Sequence, residues 1–267
     1  MLEGPDSKYI AKVLRLKPGD AFDAIDEAGH RFLCTVAGGA AKAMNLSLAV
    51  IPSPRCAASD KASDGAFAGA AGGQGTADGQ GPVELRLALV QALSKGPRMD
   101  LIIRQATETG VADIFPLNSR YCVARERGAQ EVAEKRQRRE RIIRSALQQS
   151  GSQTLTKVHA TTDPESLFAL LASSGYGPGE ATYLLCHEGL VQGPSVHEIC
   201  AACGASVVIF IGPEGGFSGD EIEYFVGKGC APIHFEGPVL RVETAALYAI
   251  AAVKTILMER TSWKSLT

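Results

Sequence analysis

The chain has 267 residues, 45% hydrophobic and 21% charged, enough for one or two domains with a sizeable core. A formal net charge of -2 and a pI near 6.2 exclude a uniformly basic, histone-like binder but leave room for a local basic face. No secretory n-region and h-region opens the sequence, and its apolar runs break at Lys, Glu or Gly well short of the ~20 residues that span a bilayer, so a cytoplasmic protein is expected.

In chain order, Lys8 to Leu16 reads as a short amphipathic piece and "KPGD" at 17–20 as a turn. The runs "AFDAI", "RFLCTV" and "MNLSLAVI" then read as strands, with "DEAG" at 26–29 as a hairpin turn, which predicts a small β-barrel over residues 1–52. Residues 53–82 are mostly Gly, Ala, Ser and Asp. Too little apolar surface is available there to offset ordering entropy, so a flexible linker or inserted loop is expected. Beyond it, strands and helices alternate. "ELRLALVQAL", "VADIFPL", "ATYLLC", "SVVIFI" and "APIHF" read as strands. Helices are expected near 99–109, 131–150, 164–172 and 194–203, from Ser218, and over 244–259. This predicts an α/β domain over 83–267 with a mainly parallel, buried sheet.

Seven cysteines (Cys34, Cys56, Cys122, Cys186, Cys200, Cys203, Cys230) form an odd count without regular spacing, which predicts reduced thiols rather than a disulfide framework. Cys200 and Cys203 make a lone CxxC near Cys186, His187 and His197. No partner pair stands at finger-like spacing, so no metal is expected.

Three stretches carry chemistry. "IGPEGGFSGDEIEYF" (211–225) follows an apolar strand, where an open α/β sheet holds its ligands. Its glycines Gly212, Gly215 and Gly216 match neither a dinucleotide turn nor a phosphate-cradling P-loop, and Ser218 with Glu221 fits a capping box. "GPVLRVETAALYAIAAV" (237–253) repeats the strand, turn, helix logic. Here Arg241 and Glu243 lie in the turn, Thr244 stands as N-cap, and Ala245, Ala249 and Ala252 form a small-residue stripe. Arg241 could equally be a surface ion pair with Glu243. In "SKGPRMDLIIRQATETGVADIFPLNSRYCVAR" (94–125), Lys95, Arg98, Arg104 and Arg120 cluster around one predicted helix, and "KRQRRERIIR" (135–144) adds six cations against one Glu. That density suits phosphate contacts, or simply a solvated helix face.

Together these stretches resemble the RsmE family of 16S rRNA uridine-N3 methyltransferases in the SPOUT superfamily. "VLRLKPGD" (13–20) is similar to its N-terminal signature, "KGPRMDLIIRQATETGV" to its first methyltransferase motif, and "IGPEGGFS" and "LRVETAALYA" to its two cofactor loops. The resemblance implies a PUA-like N-terminal β-barrel for RNA, a trefoil-knotted SPOUT methyltransferase domain and a homodimer formed through the knot region. It implies S-adenosylmethionine held by three loops. The first contains Leu185, His187 and Glu188, the second Ile211, Gly212, Pro213, Glu214, Gly215 and Gly216, and the third Leu240, Arg241 and Thr244. Arg241 would stabilise negative charge on a uracil oxygen. Glu243 and Glu214 would accept the N3 proton, or orient backbone or Arg241. Arg15, Lys95, Arg98, Arg120, Arg138 and Gln149 would hold 16S rRNA. The chain departs from the family's pattern at Ser7, Lys8 and Tyr9, where a His-rich segment is usual, at Arg139, where Trp is usual, and at Ser152, where Arg is usual. These departures are expected on RNA-facing elements. Two rivals stay open: a SPOUT enzyme acting on another base or a ribose 2′-hydroxyl, and a non-catalytic ribosome-assembly factor with a vestigial pocket.

Overall fold

A computed structural model describes residues 2–3, 5–12, 14–26, 31–40, 43–51, 86–152, 154–189, 193–204 and 206–259. The chain divides into two units, Met1–Asp78 and Gly79–Thr267. The segment 53–82, expected as linker, lies outside the described residues, as does most of the turn at 26–29.

In the first unit, β1 (Leu2–Glu3), α1 (Pro5–Lys12), β2 (Ala21–Ile25), β3 (Arg31–Ala40) and β4 (Ala43–Ile51) follow in order. The strands form an antiparallel sheet in the order β1-β4-β3-β2, with a bulge between Val36 and Gly38. Alternating apolar residues place Val36 and Met44 on one face, where they bury against Ile10 of α1. The amphipathic piece Lys8 to Leu16 is helical only as far as Lys12, in a helix over 5–12. Arg15, beyond that helix, stands in the left-handed region at φ 55, which a non-glycine residue adopts only at some cost.

The second unit comprises β5 (Arg86–Ala92), α2 (Pro97–Glu108), β6 (Asp113–Leu117), α3 (Ala129–Ser150), β7 (Lys157–Val158), α4 (Pro164–Ser173), β8 (Thr182–Cys186), α5 (Val196–Ala202), β9 (Ser206–Ile211), α6 (Gly219–Gly227), β10 (Cys230–Ile233) and α7 (Val242–Glu259). The six strands pair in parallel in the order β10-β8-β9-β5-β6-β7. The continuous apolar runs of β5 and β9 are central, and nearly every residue in them is buried, as a parallel sheet covered on both faces requires. Helix α7 packs on α2, α5 and β9. Its buried face is Val242, Ala246, Ala249, Ile250, Val253 and Leu257 rather than the stripe Ala245, Ala249 and Ala252.

The order reverses between β5 and β9. From β5 the chain proceeds outward to β6 and β7, whereas β9 leads to the opposite edge at β10. Loops leaving the carboxyl ends of these two central strands therefore diverge and open a crevice, the usual place for a ligand in such a sheet. The opposite end of the sheet is sealed by a polar cluster. Asp113 accepts from Tyr176 Oη at 2.7 Å and from Arg86 Nη2 at 2.8 Å, and lies 2.8 Å from His159 Nε2. Phe115 stacks on His159 beneath it.

Candidate active site

Beyond the carboxyl ends of β8 and β9, three loops surround a cavity of ≈ 530 Å³. The first loop follows β8 and contributes Cys186, His187 and Glu188; the second is the glycine turn; the third runs from His234 to Glu243 into α7. Two backbone details shape the turn. Gly216 has φ 71 and closes a tight turn through its N–H to the Pro213 carbonyl at 2.9 Å. At Gly212 a Cβ would meet the backbone of Gly216 and Phe217 at 3.3 Å, so the turn folds onto itself only because that atom is missing. Phe217 then packs edge-on against Phe225 at 5.2 Å and anchors the turn to α6.

The capping box at the start of α6 is present: Ser218 Oγ accepts from Glu221 N–H, and the Glu221 carboxylate accepts from Ser218 N–H at 2.9 Å. Glu221 has a second task. It accepts from Arg120 N–H at 2.8 Å and from Ser119 Oγ at 3.2 Å, tying the loop after β6 to the glycine turn. That long-range link has no signal in the sequence beyond the acid itself.

Arg98 is the largest surprise of the site. Expected on RNA phosphate, it lines the cavity, donates to Glu214 Oε1 at 2.7 Å and stands 3.9 Å from Glu243 Oε2. It thus bridges the loop after β5 to the loop after β9 across the crevice. Its partners are the two carboxylates singled out as proton acceptors, and they differ. Burial raises the Glu214 carboxyl, but hydrogen bonds from its own backbone N–H, from Arg98 and from the Lys95 N–H outweigh burial and hold it below the usual glutamate value. Glu243 Oε2 is buried and accepts no hydrogen bond among the described residues.

Arg241 is exposed at the cavity rim, and its carbonyl accepts the first bond of α7 from Ala245 N–H at 2.7 Å. Arg241 is therefore the N-cap position, and Thr244, expected as N-cap, sits inside the first turn with its side chain exposed. Glu243 in that first turn complements the helix dipole. The alternative reading of Arg241 as a surface ion pair with Glu243 gives way to the contact of Glu243 with Arg98.

Of the residues expected to hold a cofactor, His187, Glu188, Ile211, Gly212, Pro213, Glu214, Gly216, Leu240 and Arg241 line the cavity, while Leu185, Gly215 and Thr244 do not. Leu185 is fully buried in β8, and a Cβ on Gly215 would face Tyr121 at 3.3 Å. Phe235, Val239 and Val242 supply apolar walls that the motifs alone did not single out. Burial pushes the Cys186 thiol up to about 12, so it stays protonated and is no nucleophile at neutral pH. Among the described residues no three His, Cys, Asp or Glu side chains gather as metal ligands.

The cations expected on RNA divide. Lys95, Arg120 and Arg138 are exposed near α2, the loop after β6 and α3; Arg120 pairs with Asp220 at 2.6 Å and Arg138 with Asp100. Gln149 is exposed in the last turn of α3. Arg15 lies in the first unit. Arg139, expected to face RNA, is instead 4% exposed: it pairs with buried Glu126 and donates to Thr161 Oγ1 at 3.1 Å. It occupies the inner face of α3, one helical step from the solvated cations, where it forms a satisfied buried ion pair.

The family model described as an RNA methyltransferase domain matches residues 81–254, and one described as an RNA methyltransferase PUA domain matches 2–46. The chain is similar to the ribosomal RNA small subunit methyltransferase E of Mycobacterium bovis, 28% identical over 257 residues, covering 95% of this chain and 85% of that one. The protein of the same name from Synechocystis is 28% identical over 254 residues, covering 93% of this chain and 70% of that one. Among solved structures, the ribosomal RNA small subunit methyltransferase E of Neisseria gonorrhoeae bound to S-adenosyl methionine superposes with a TM-score of 0.67 at 23% identity, covering 96% and 91% of the two chains. That likeness shows a shared fold.

Proposed function

Because the chain belongs to the RsmE-type RNA methyltransferase family, we propose that it methylates a uridine of 16S rRNA at N3 with S-adenosylmethionine as donor. The observation that carries the reading is the three-loop cavity, built by the glycine turn and the start of α7 at the carboxyl end of the sheet. Its ≈ 530 Å³ fall within the range of pockets for molecules of this size. The lining fits such a cofactor: Ile211, Phe217, Phe235 and Leu240 give apolar walls for a flat ring, and the buried Glu243 Oε2, which accepts no hydrogen bond among the described residues, suits a cationic group. His187, Glu188, Ile211, Gly212, Pro213, Glu214, Gly216 and Leu240 would hold it.

When bound, the cofactor supplies an activated methyl group; the protein's part is to hold the uracil and deal with its N3 proton. Neutral uridine N3 is a weak nucleophile, so the proton must leave as attack begins. Glu243, with an oxygen free of hydrogen bonds, is the better acceptor than Glu214, whose carboxylate is stabilised by three donors. Arg98 positions both. Arg241 at the rim places a fixed positive charge where a uracil oxygen would gain negative charge. Arg15, Lys95, Arg120, Arg138 and Gln149 would contact the RNA backbone. The active form would be a homodimer through the methyltransferase domain, working in the cytoplasm.

Nucleoside mass spectrometry on small ribosomal subunits from cells lacking the protein tests this. Subunits incubated with the purified chain and S-adenosylmethionine should gain 3-methyluridine. A different methylated nucleoside would move the target to another base or ribose position, and binding of cofactor with no methylation would sink the substrate assignment.

A further inference from the structure

A second cavity, of ≈ 280 Å³, lies on the other side of the first turn of α2 from the cofactor cavity. Arg98 lines one, whereas Pro97, Met99 and Asp100 line the other. We infer that this second cavity binds a backbone phosphate of an RNA nucleotide flanking the methylated one. The inference rests on the reading of the chain as an RNA methyltransferase.

The floor of the cavity is the start of a 12-residue helix. Its N-cap, Gly96, has no side chain to accept from the first turn, and Pro97 brings no N–H, so the amides of Arg98 and Met99 lack a side-chain cap. Such a terminus favours an anion. An independent observation points the same way: Ser94, just past the end of β5 and 4% exposed, lines the cavity with a hydroxyl that has no hydrogen-bond partner among the described residues. A buried orphan donor beside an uncapped helix start is an incomplete oxyanion cradle, and a phosphate oxygen would complete it.

The charges around the cavity agree. Its carboxylates are engaged: Asp100 by Arg138, Glu126 by Arg139 and Thr161, and Glu131 by the Arg127 N–H at 3.1 Å. Two further cations remain, Arg125, which gives one N–H to the Arg120 carbonyl at 2.7 Å, and Lys135, which has no ion pair among the described residues. Both are exposed and can close over a bound phosphate. A chain of RNA whose target base enters the first cavity would pass its neighbouring phosphate over the α2 turn into the second.

The test uses the full chain. Ser94→Ala removes a hydroxyl that no group among the described residues uses, so a purely structural role predicts an unchanged melting temperature and unchanged RNA affinity. The inference predicts an unchanged melting temperature and unchanged S-adenosylmethionine affinity, but roughly tenfold weaker binding of unmodified 16S rRNA in filter assays. Lys135→Ala should lower the slope of log affinity against log salt by about one. In amide spectra, the dinucleotide UpU should shift Arg98 and Met99 in the parent and not in Ser94→Ala. If inorganic phosphate shifts them and UpU does not, the site serves a free anion and the RNA assignment falls. If the parent methylates subunits and both variants keep its RNA affinity and salt slope, the inference alone fails. If the parent neither binds 16S rRNA nor methylates it, the functional reading fails and takes the inference with it.

Discussion

Arg98 joins Glu214 and Glu243 while Arg241 stands exposed at the cavity rim, and Arg241, Glu243 and Glu214 each predict a separable kinetic effect. Arg241 caps α7 only through its carbonyl, so Arg241→Ala keeps the helix start while removing the exposed charge. Turnover should fall about 10²-fold with little change in cofactor affinity, measured by single-turnover kinetics and calorimetry. An equal loss of both would put Arg241 in the cofactor site instead. Glu243→Gln should depress turnover further than Glu214→Gln, because Glu214 already spends its lone pairs on Arg98 and two backbone amides. The reverse ranking would exchange their roles. Arg139 makes a stability prediction of the same scale. Arg139→Met leaves Glu126 charged and buried and should cost about 3–5 kcal/mol in denaturant unfolding, whereas Arg139→Met with Glu126→Leu should recover most of it.

At the scale of elements, α6 and the loop after β6 share one acid. Ser218→Ala should cost about 1 kcal/mol by loss of the cap. Glu221→Ala should cost about 2–3 kcal/mol, since it also strands the Arg120 N–H and the Ser119 hydroxyl. Equal losses in thermal melts of the two variants would mean that the bridge to the 119–120 loop contributes nothing. The start of α7 shows a different lesson: Thr244 has the right chemistry for an N-cap, yet Arg241 takes that position and the helix begins at Val242, whose side chain is buried, so packing of the apolar face overrides capping preference.

At the scale of the whole molecule, every residue lining the cofactor cavity lies in the unit Gly79–Thr267. That unit expressed alone should keep S-adenosylmethionine affinity and lose much of its affinity for 16S rRNA; loss of cofactor binding would show that the unit does not hold the site by itself. The acid limit of the fold should follow Asp113. Burial raises its carboxyl, but hydrogen bonds to His159 and Tyr176 and the Arg86 charge outweigh burial and lower it below its ordinary 3.8. A depressed carboxyl contributes stability that is present above the ordinary value and lost as pH falls through the folded one, so this part of the stability should disappear below about pH 4. Asp113→Asn should flatten the dependence of unfolding free energy on pH in that window; an unchanged slope would assign the acid limit to other carboxylates.

The sequence by itself determined the alternation of strands and helices, the capping box at Ser218 and Glu221, and the two loops that make most of the cavity. These are local patterns: period, apolar runs and cap spacing act over a few residues, and the glycine turn follows its strand directly. Only the tertiary structure decided which cations meet which acids. Arg98 and Glu214 are 116 residues apart and Arg139 and Glu126 are on different elements, so composition marks all of them alike as charged surface. The crossover between β5 and β9 brings the first pair across one crevice, and the inner face of α3 buries the second. Short elements escaped for the complementary reason: β1 and β7, two residues each, have no period to read and exist because a neighbouring strand offers them hydrogen bonds.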